Sequence, residues 1–446
     1  LEVLRKTILA SLYCGRCQGL MKHQYSSIDF SRYVAIGDSI TAGYADGVLH
    51  YEGQIAAYPA LLARQYQILQ PIDFRQALLD PSSPGIGFEG RMRLVLVPDQ
   101  HHGGNSRTKL DFLAPANSEQ TPLENIYLQQ GPFHNLAVPG AKIAHLLLHG
   151  YGNPENGSGN FNPFFSRMAS DMQNACIFDD VLKHQPTFFT MLIGNNDILS
   201  YAMSGGTQDA ITPIDGPIGS GFAETLRYLV ATLCGNGAKG ILCTLPDLTS
   251  IPFFNTIAYN DLLLKKDEAL LLNTLYEQHE LQFKTGRNRF VAENNNGSEP
   301  QFRCLQPGDL VLTELMHDIN HTCFLSGQRP IPKRYYLKAS EVECVKSAIS
   351  AYNDVISGVA AENGLGVVGL GNLLRNARPE RYYDPGTRSM RYFENGAFAL
   401  DGIHINALGQ ALLANEFIKT IFRTYGLKIP RLPVMPFRKK HPVAYR

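Results

Sequence analysis

The sequence predicts an α/β protein built on a parallel sheet with helices on both faces. Three observations carry this. Short apolar runs suited to buried strands recur along the chain at Tyr33–Gly37, Phe133–Val138, Thr187–Ile193, Gly240–Leu245 and Gly366–Leu370. Stretches with helical apolar spacing separate them, as at 56–66, 222–233 and 340–362. Most of the runs also end on Gly, Pro, Asn or Asp, residues that turn a chain or expose polar groups to a rim.

Composition allows such a core. The chain has 446 residues, 44% of them hydrophobic, enough for one large domain or two ordinary ones. Forty basic residues balance forty acidic ones, so nothing in the net charge calls for a nucleic acid or a polyanionic surface as partner. No run of eighteen apolar residues exists, which argues against a transmembrane segment. The cysteines Cys14, Cys17, Cys176, Cys234, Cys243, Cys304, Cys323 and Cys344 are scattered. Cys234 and Cys243 read as buried thiols, and Cys304 and Cys323 could pair in an exported protein. Cys14 and Cys17 have CxxC spacing, but a single pair is a weak sign of zinc or redox chemistry.

Taken in order, residues 1–31 read as an arm or a processed export segment, with Arg5 and Lys6 before a short apolar run. The first strand breaks at Gly37-Asp-Ser39, which puts a hydroxyl at a strand's carboxyl end, where open α/β sheets carry their sites. A helix over 56–66 follows, with Pro59 in its first turn. Residues 71–130 are rich in Pro, Gly, Asn and Ser and read as an insertion, with Arg91–Val97 as an extra strand or hairpin. His101 and His102 lie there without a third ligand at diagnostic spacing.

The second strand leads through Pro139-Gly140 into a helical run, Ala141–Leu148. A glycine at that point leaves a backbone N–H open to an anion, although an ordinary turn would look the same. After a loop over 150–163, Phe164–Lys183 reads as helix, and the third strand ends in Gly194-Asn-Asn-Asp197. Two amides and a carboxylate there are too polar for core, so they mark a site or a tight turn. The fourth strand ends at Pro246-Asp247, residues 260–283 read as helix, and 284–335 as a second insertion. A long helix with apolar positions Val342, Val345, Ile349, Tyr352 and Ile356 precedes the fifth strand. Asn406 is a good N-cap for a last helix, leaving Asp401 and His404 on the loop before it. The tail, 427–446, has four prolines and six Lys or Arg without an acid, and reads as a strap, a mobile end or a basic interaction tail.

A serine after the first strand, a glycine after the second, an Asn after the third and an Asp-x-x-His near the end make up the parts of acyl transfer. In this order the chain resembles the SGNH hydrolases, the GDSL esterase and lipase family. Gly37-Asp-Ser-Ile40, Asn135 to Gly140, Gly194-Asn-Asn-Asp197 and Asp401-Gly-Ile-His404 carry the resemblance, from about residue 32 to about 425. Ile40 stands where the family's name motif has Leu, and the insertions are not covered.

The resemblance implies a three-layer α/β/α, flavodoxin-like fold on a five-stranded parallel sheet, a single domain over 32–426. It implies a carboxylic-ester hydrolase with no cofactor or metal, a lipid, sugar or other small-molecule ester as substrate, and an extracytoplasmic location. Ser39 would be the nucleophile, His404 the base and Asp401 its orienting partner, with Ser39 N–H, Gly140 N–H and the Asn196 amide as oxyanion donors. Asp38 and Asp197 would make structural hydrogen bonds. Tyr44, Tyr51, Phe164 and Phe165 suit a pocket or the core. Acyl esters of short to medium chain and O-acetyl sugars fit the same machinery. A phosphate-cradling flavodoxin-like module would leave Asp401 and His404 idle, and a non-catalytic carbohydrate or surface-binding protein on this fold is the reading of another class.

Overall fold

A computed structural model describes residues 28–87, 90–98, 106–113, 131–157, 159–294, 301–375, 381–392, 396–438 and 444–445. Cys14, Cys17, His101 and His102 fall outside the described residues, as does most of the arm over 1–31.

Four strands form the central sheet: β1 (Tyr33–Gly37), β2 (Phe188–Leu192), β3 (Lys239–Thr244) and β4 (Gly366–Gly369). They lie side by side in chain order and every pairing is parallel. All five residues of β1 and of β2 are buried, as strands covered on both faces require. Among the described residues the sheet thus has four strands where five were expected. The second expected strand, 133–138, does run beside β1: His134 O accepts the Ala35 N–H (2.8 Å) and Leu136 donates its N–H to Ala35 O (2.9 Å). It makes one bridge, Ala35 with Asn135, and no ladder. Val138 N–H also reaches Gly37 O at 3.0 Å, but no second bridge forms. With that segment counted, the spatial order is second, first, third, fourth, fifth, the flavodoxin-like order whose switch point lies beside β1.

Helices cover both faces. On one, α2 (Tyr58–Tyr66) packs against α6 (Ala407–Tyr425), with Tyr58 stacked on Phe417 at 4.7 Å. On the other, α4 (Phe222–Gly235) and α5 (Ala339–Glu362) pack together, with Phe222 stacked on Tyr352 at 3.8 Å. The expected stripe on α5 is buried, from Val342 to Ile356. Each such aromatic or aliphatic side chain taken out of water contributes about 1.5–3 kcal/mol.

Several helices are shorter than their apolar spacing suggested. The first stretch is Tyr51–Ala56 followed by α2, broken at Ala57 before Pro59. Ala141–Leu148 forms a 3-10 turn at Ile143–Leu147. Phe164–Lys183 splits into Pro163–Ser166 and Ile177–Lys183 around a polar turn where Asp171 accepts from Gln173 and Asn174 N–H. The helix expected over 260–283 shrinks to Lys266–Leu275, because Leu262–Leu264 pairs as a strand with Gly286–Asn288.

The insertions have structure of their own. Arg91–Pro98 pairs antiparallel with Ser106–Leu113. Residues from Ile257 to Tyr336 gather a second apolar core, with Phe290, Leu305, Val311 and Tyr336 fully buried, around three short antiparallel pairs. Cys304 and Cys323 are free, half-buried thiols, so the bridge considered from sequence is not formed. Residues 427–438 run back over α6, where Asn415 holds Leu432 through two bonds of 2.8 and 3.0 Å. No helix among the described residues is long and apolar enough to cross a membrane.

Candidate active site

The carboxyl ends of β1 and β2 and the loop before α6 meet on one rim. β1 passes into a one-turn helix, α1 (Ser39–Ala42), because Asp38 is extended and its carboxylate caps Ile40 N–H at 3.1 Å. Gly37 is needed there: a Cβ would stand 2.3 Å from Thr41 Oγ1 and 2.5 Å from Leu192 O. Ser39 is thus the first helical residue, and its N–H is one that a helix start leaves without an intrahelical acceptor.

His404 Nε2 lies 2.8 Å from Ser39 Oγ, and His404 Nδ1 lies 3.0 Å from Asp401 Oδ2. Asp401 is buried at 8% exposure. Its Oδ1 accepts Ile403 and His404 N–H, both at 2.9 Å, and Oδ2 also accepts Gly47 N–H at 3.1 Å. Burial alone would raise this carboxyl, but the imidazole of His404 and the backbone N–H bonds outweigh it and hold Asp401 well below the usual carboxylate range. A carboxylate fixed on one ring nitrogen leaves the other free to take a proton from a hydroxyl.

The remaining predicted residues lie on neighbouring loops laced to this one. Gly140, exposed and at φ 80, follows Val138, whose N–H binds Gly37 O at 3.0 Å. Among the described residues the Gly140 N–H has no acceptor. Asn196, in the first turn of α3 (Asn195–Met203), sends its amide to Ala141 O at 3.0 Å, one residue beyond Gly140. Asp197 Oδ2 accepts Ile143 N–H at 2.9 Å, and Asn135 donates to Thr41 O at 3.1 Å. Burial raises the carboxyls of Asp38 and Asp197, each to about 6, against their hydrogen bonds. Of the aromatic residues, Tyr44 lies against the His404 ring at 4.8 Å and Phe164 meets Tyr44 edge-on at 6.1 Å, while Phe165 is core.

Sequence reasoning missed three supports. Asn195 is buried and donates to Asp38 Oδ2 at 2.8 Å. Gln410 bonds Ile40 O at 2.8 Å and accepts Tyr58 N–H at 2.9 Å, tying α1 to α2 and α6. Its signal was a polar residue on the apolar face of a helix. Gly47 had only the weak Asp-Gly turn dipeptide to mark it.

The chain matches the model of the family described as GDSL-like Lipase/Acylhydrolase over residues 33–417. Among solved structures it is similar to an α/β hydrolase, LAE5, from the metagenome of Lake Arreo, Spain, at 14% identity over 87% of this chain and 93% of that one, TM-score 0.33. It is also similar to an acetyl xylan esterase Axe2 variant from Geobacillus stearothermophilus, at 13% identity over 90% and 96%, TM-score 0.34. An extracellular lipase from Streptomyces rimosus aligns at 10% identity over 88% and 98%, TM-score 0.31. No curated protein matches the sequence. With a family match across most of its length and the family's motifs gathered on one rim, the chain belongs to the GDSL-like lipase/acylhydrolase family and is a carboxylic-ester hydrolase.

Proposed function

We propose that the protein is a serine esterase that cleaves esters of short to medium acyl chain through an acyl-enzyme. The observation that carries this is the chain of two bonds, Ser39 Oγ to His404 Nε2 at 2.8 Å and His404 Nδ1 to Asp401 Oδ2 at 3.0 Å. Ser39 Oγ attacks the ester carbonyl as His404 takes its proton. Asp401 fixes the tautomer and stabilises the imidazolium, which then gives the proton to the leaving alkoxide. Water, deprotonated by the same imidazole, releases the acid. The oxyanion is held by the N–H groups of Ser39 and Gly140 and by the Asn196 amide, each such donor supplying about 3 kcal/mol in the transition state.

Hydrolysis of p-nitrophenyl acetate and butyrate, abolished in a folded Ser39→Ala variant, is the expected result. Retention of full activity in that variant sinks the mechanism. A panel of acyl chain lengths beside O-acetylated sugars separates acyl-ester from sugar O-acetyl use. Preference for the sugars would replace the substrate class and keep the machinery.

A further inference from the structure

The first insertion is outside the family's motifs, yet one strand of it lies against the loop that carries Asp401. Met92, on strand Arg91–Pro98, donates its N–H to Asp46 O at 2.8 Å. Asp46 Oδ1 in turn accepts Leu400 N–H at 2.9 Å, and Gly47 N–H reaches Asp401 Oδ2 at 3.1 Å. Two consecutive residues of one turn thus grip two consecutive residues of a loop 354 positions away. Side chains repeat the contact. Met92, Leu94 and Leu400 form a small apolar cluster apart from the main core, and Met92 lies 3.7 Å from where a Cβ on Gly47 would be.

The other side of the turn is closed as well. Leu49 and Ile86 exchange N–H···O bonds of 2.8 Å, and a Cβ on Gly87 would come within 2.3 Å of Gly47 O. The Tyr44 hydroxyl donates to Gly47 O while its ring lies on His404. Asp46 itself sits at φ 56, a left-handed conformation that surrounding contacts must hold.

We propose that strand Arg91–Pro98 of the insertion, acting through the Asp46–Gly47 turn, is a brace for the acid of the triad. Met92 and Asp46 are positioning residues: neither touches substrate, and both act through Leu400 and Gly47 on Asp401. Asp401 Oδ2 is shared between Gly47 N–H and His404 Nδ1, so the turn sets where the imidazole points. A displacement of about 1 Å at such a group costs up to about 100-fold in rate. The inference rests on Ser39, His404 and Asp401 acting as proposed above.

The test compares Asp46→Ala, Asp46→Asn and Met92→Ala with Ser39→Ala on p-nitrophenyl acetate. Asp46→Ala is expected to lower kcat on the order of 10- to 100-fold and to leave KM unchanged. Asp46→Asn restores most of the rate, because an amide oxygen can accept the same N–H and Asn tolerates the left-handed turn. The far-downfield proton resonance of the His404–Asp401 bond weakens in Asp46→Ala and returns in Asp46→Asn. Met92→Ala shows a smaller loss in kcat alone and decides the matter if Asp46→Ala does not fold. Unchanged kcat in a folded Asp46→Ala or in Met92→Ala, a change in KM instead, or failure of Asp46→Asn to rescue overturns the brace. An active Ser39→Ala would instead remove the reading of the triad on which the brace rests.

Discussion

Ser39 and Asp401 stand at opposite ends of one hydrogen-bonded relay, and they are held by different means. The serine limb grows out of the main core. Asp38 is fully buried, Asn195 bonds it from the next strand end, and Gln410 ties α1 to two helices. The acid limb lies on the loop before α6, fastened by backbone N–H groups and by one turn beside the insertion. The difference teaches where damage goes: changes in the serine limb strike both folding and chemistry, whereas changes in the acid limb strike chemistry first.

The largest effect that can break this comparison is loss of the proposed base between the two limbs. His404→Ala is expected to lower kcat by about 10⁶, as far as loss of the nucleophile does in enzymes whose residues act as one unit. Its unfolding midpoint in urea should stay near that of the parent, since the imidazole bonds the two side chains it serves, while the His404 backbone keeps its bonds from Ala399 N–H and to Asp401 Oδ1. A large shift of midpoint would place the relay in the stability of the fold. Asp401→Asn comes next, at about 10⁴ in kcat through the wrong tautomer. Steady-state kinetics beside the midpoint decides whether the acid limb is separable from folding; activity close to the parent's would remove Asp401 from the relay.

The two asparagines of α3 sharpen the same contrast. Asn196→Ala deletes a proposed oxyanion donor and is expected to cost about 10²–10³ in kcat. Asn195→Ala is expected to cost less in kcat but about 1–3 kcal/mol in stability, because it strips the fully buried Asp38 of its side-chain donor. Kinetics and urea unfolding on both variants read the two axes at once. The reverse pattern would overturn the oxyanion assignment and move Asn195 to the chemistry.

The centre of the serine limb was legible in the sequence because it is local: a buried strand runs into a Gly, an acid that caps and a serine at Gly37 to Ser39, whereas its distant supports Asn195 and Gln410 were not. Asn196 and Gly140 were legible as strand ends, because strands covered on both faces read as continuous apolar runs. The second expected strand was overread because an apolar pattern reports burial and not pairing: the segment is buried beside β1 yet forms one bridge with it. The helices at 141–148 and 164–183 were overlong for a related reason, since apolar spacing does not see a polar turn or a 3-10 geometry. Gly47 and Asp46 were beyond reach, since their partners stand 354 positions away and no periodicity connects them.

The last expected effect concerns pH and is read on the serine limb. Burial lifts the Asp38 carboxyl from 3.8 to about 6, so the folded state keeps a proton that the unfolded chain releases. The stability this group contributes is therefore present below about pH 4 and is lost as pH rises toward 6, by up to about 3 kcal/mol. Asp197 acts in the same direction, while the depressed Asp401 acts oppositely, losing its contribution only as pH falls below the usual carboxylate range. Asp38→Asn removes one of the two raised carboxyls, and the new amide still caps Ile40 N–H through its oxygen. Its NH2 would face the Asn195 NH2, but Asn195 Oδ1 is buried without a partner and can turn to accept it. The variant should thus lose part of the fall in urea midpoint between pH 4.5 and pH 7.5 that the parent shows. An unchanged slope would mean that Asp38 is charged throughout that range, and that the serine limb carries its buried carboxylate at no cost that pH can reveal.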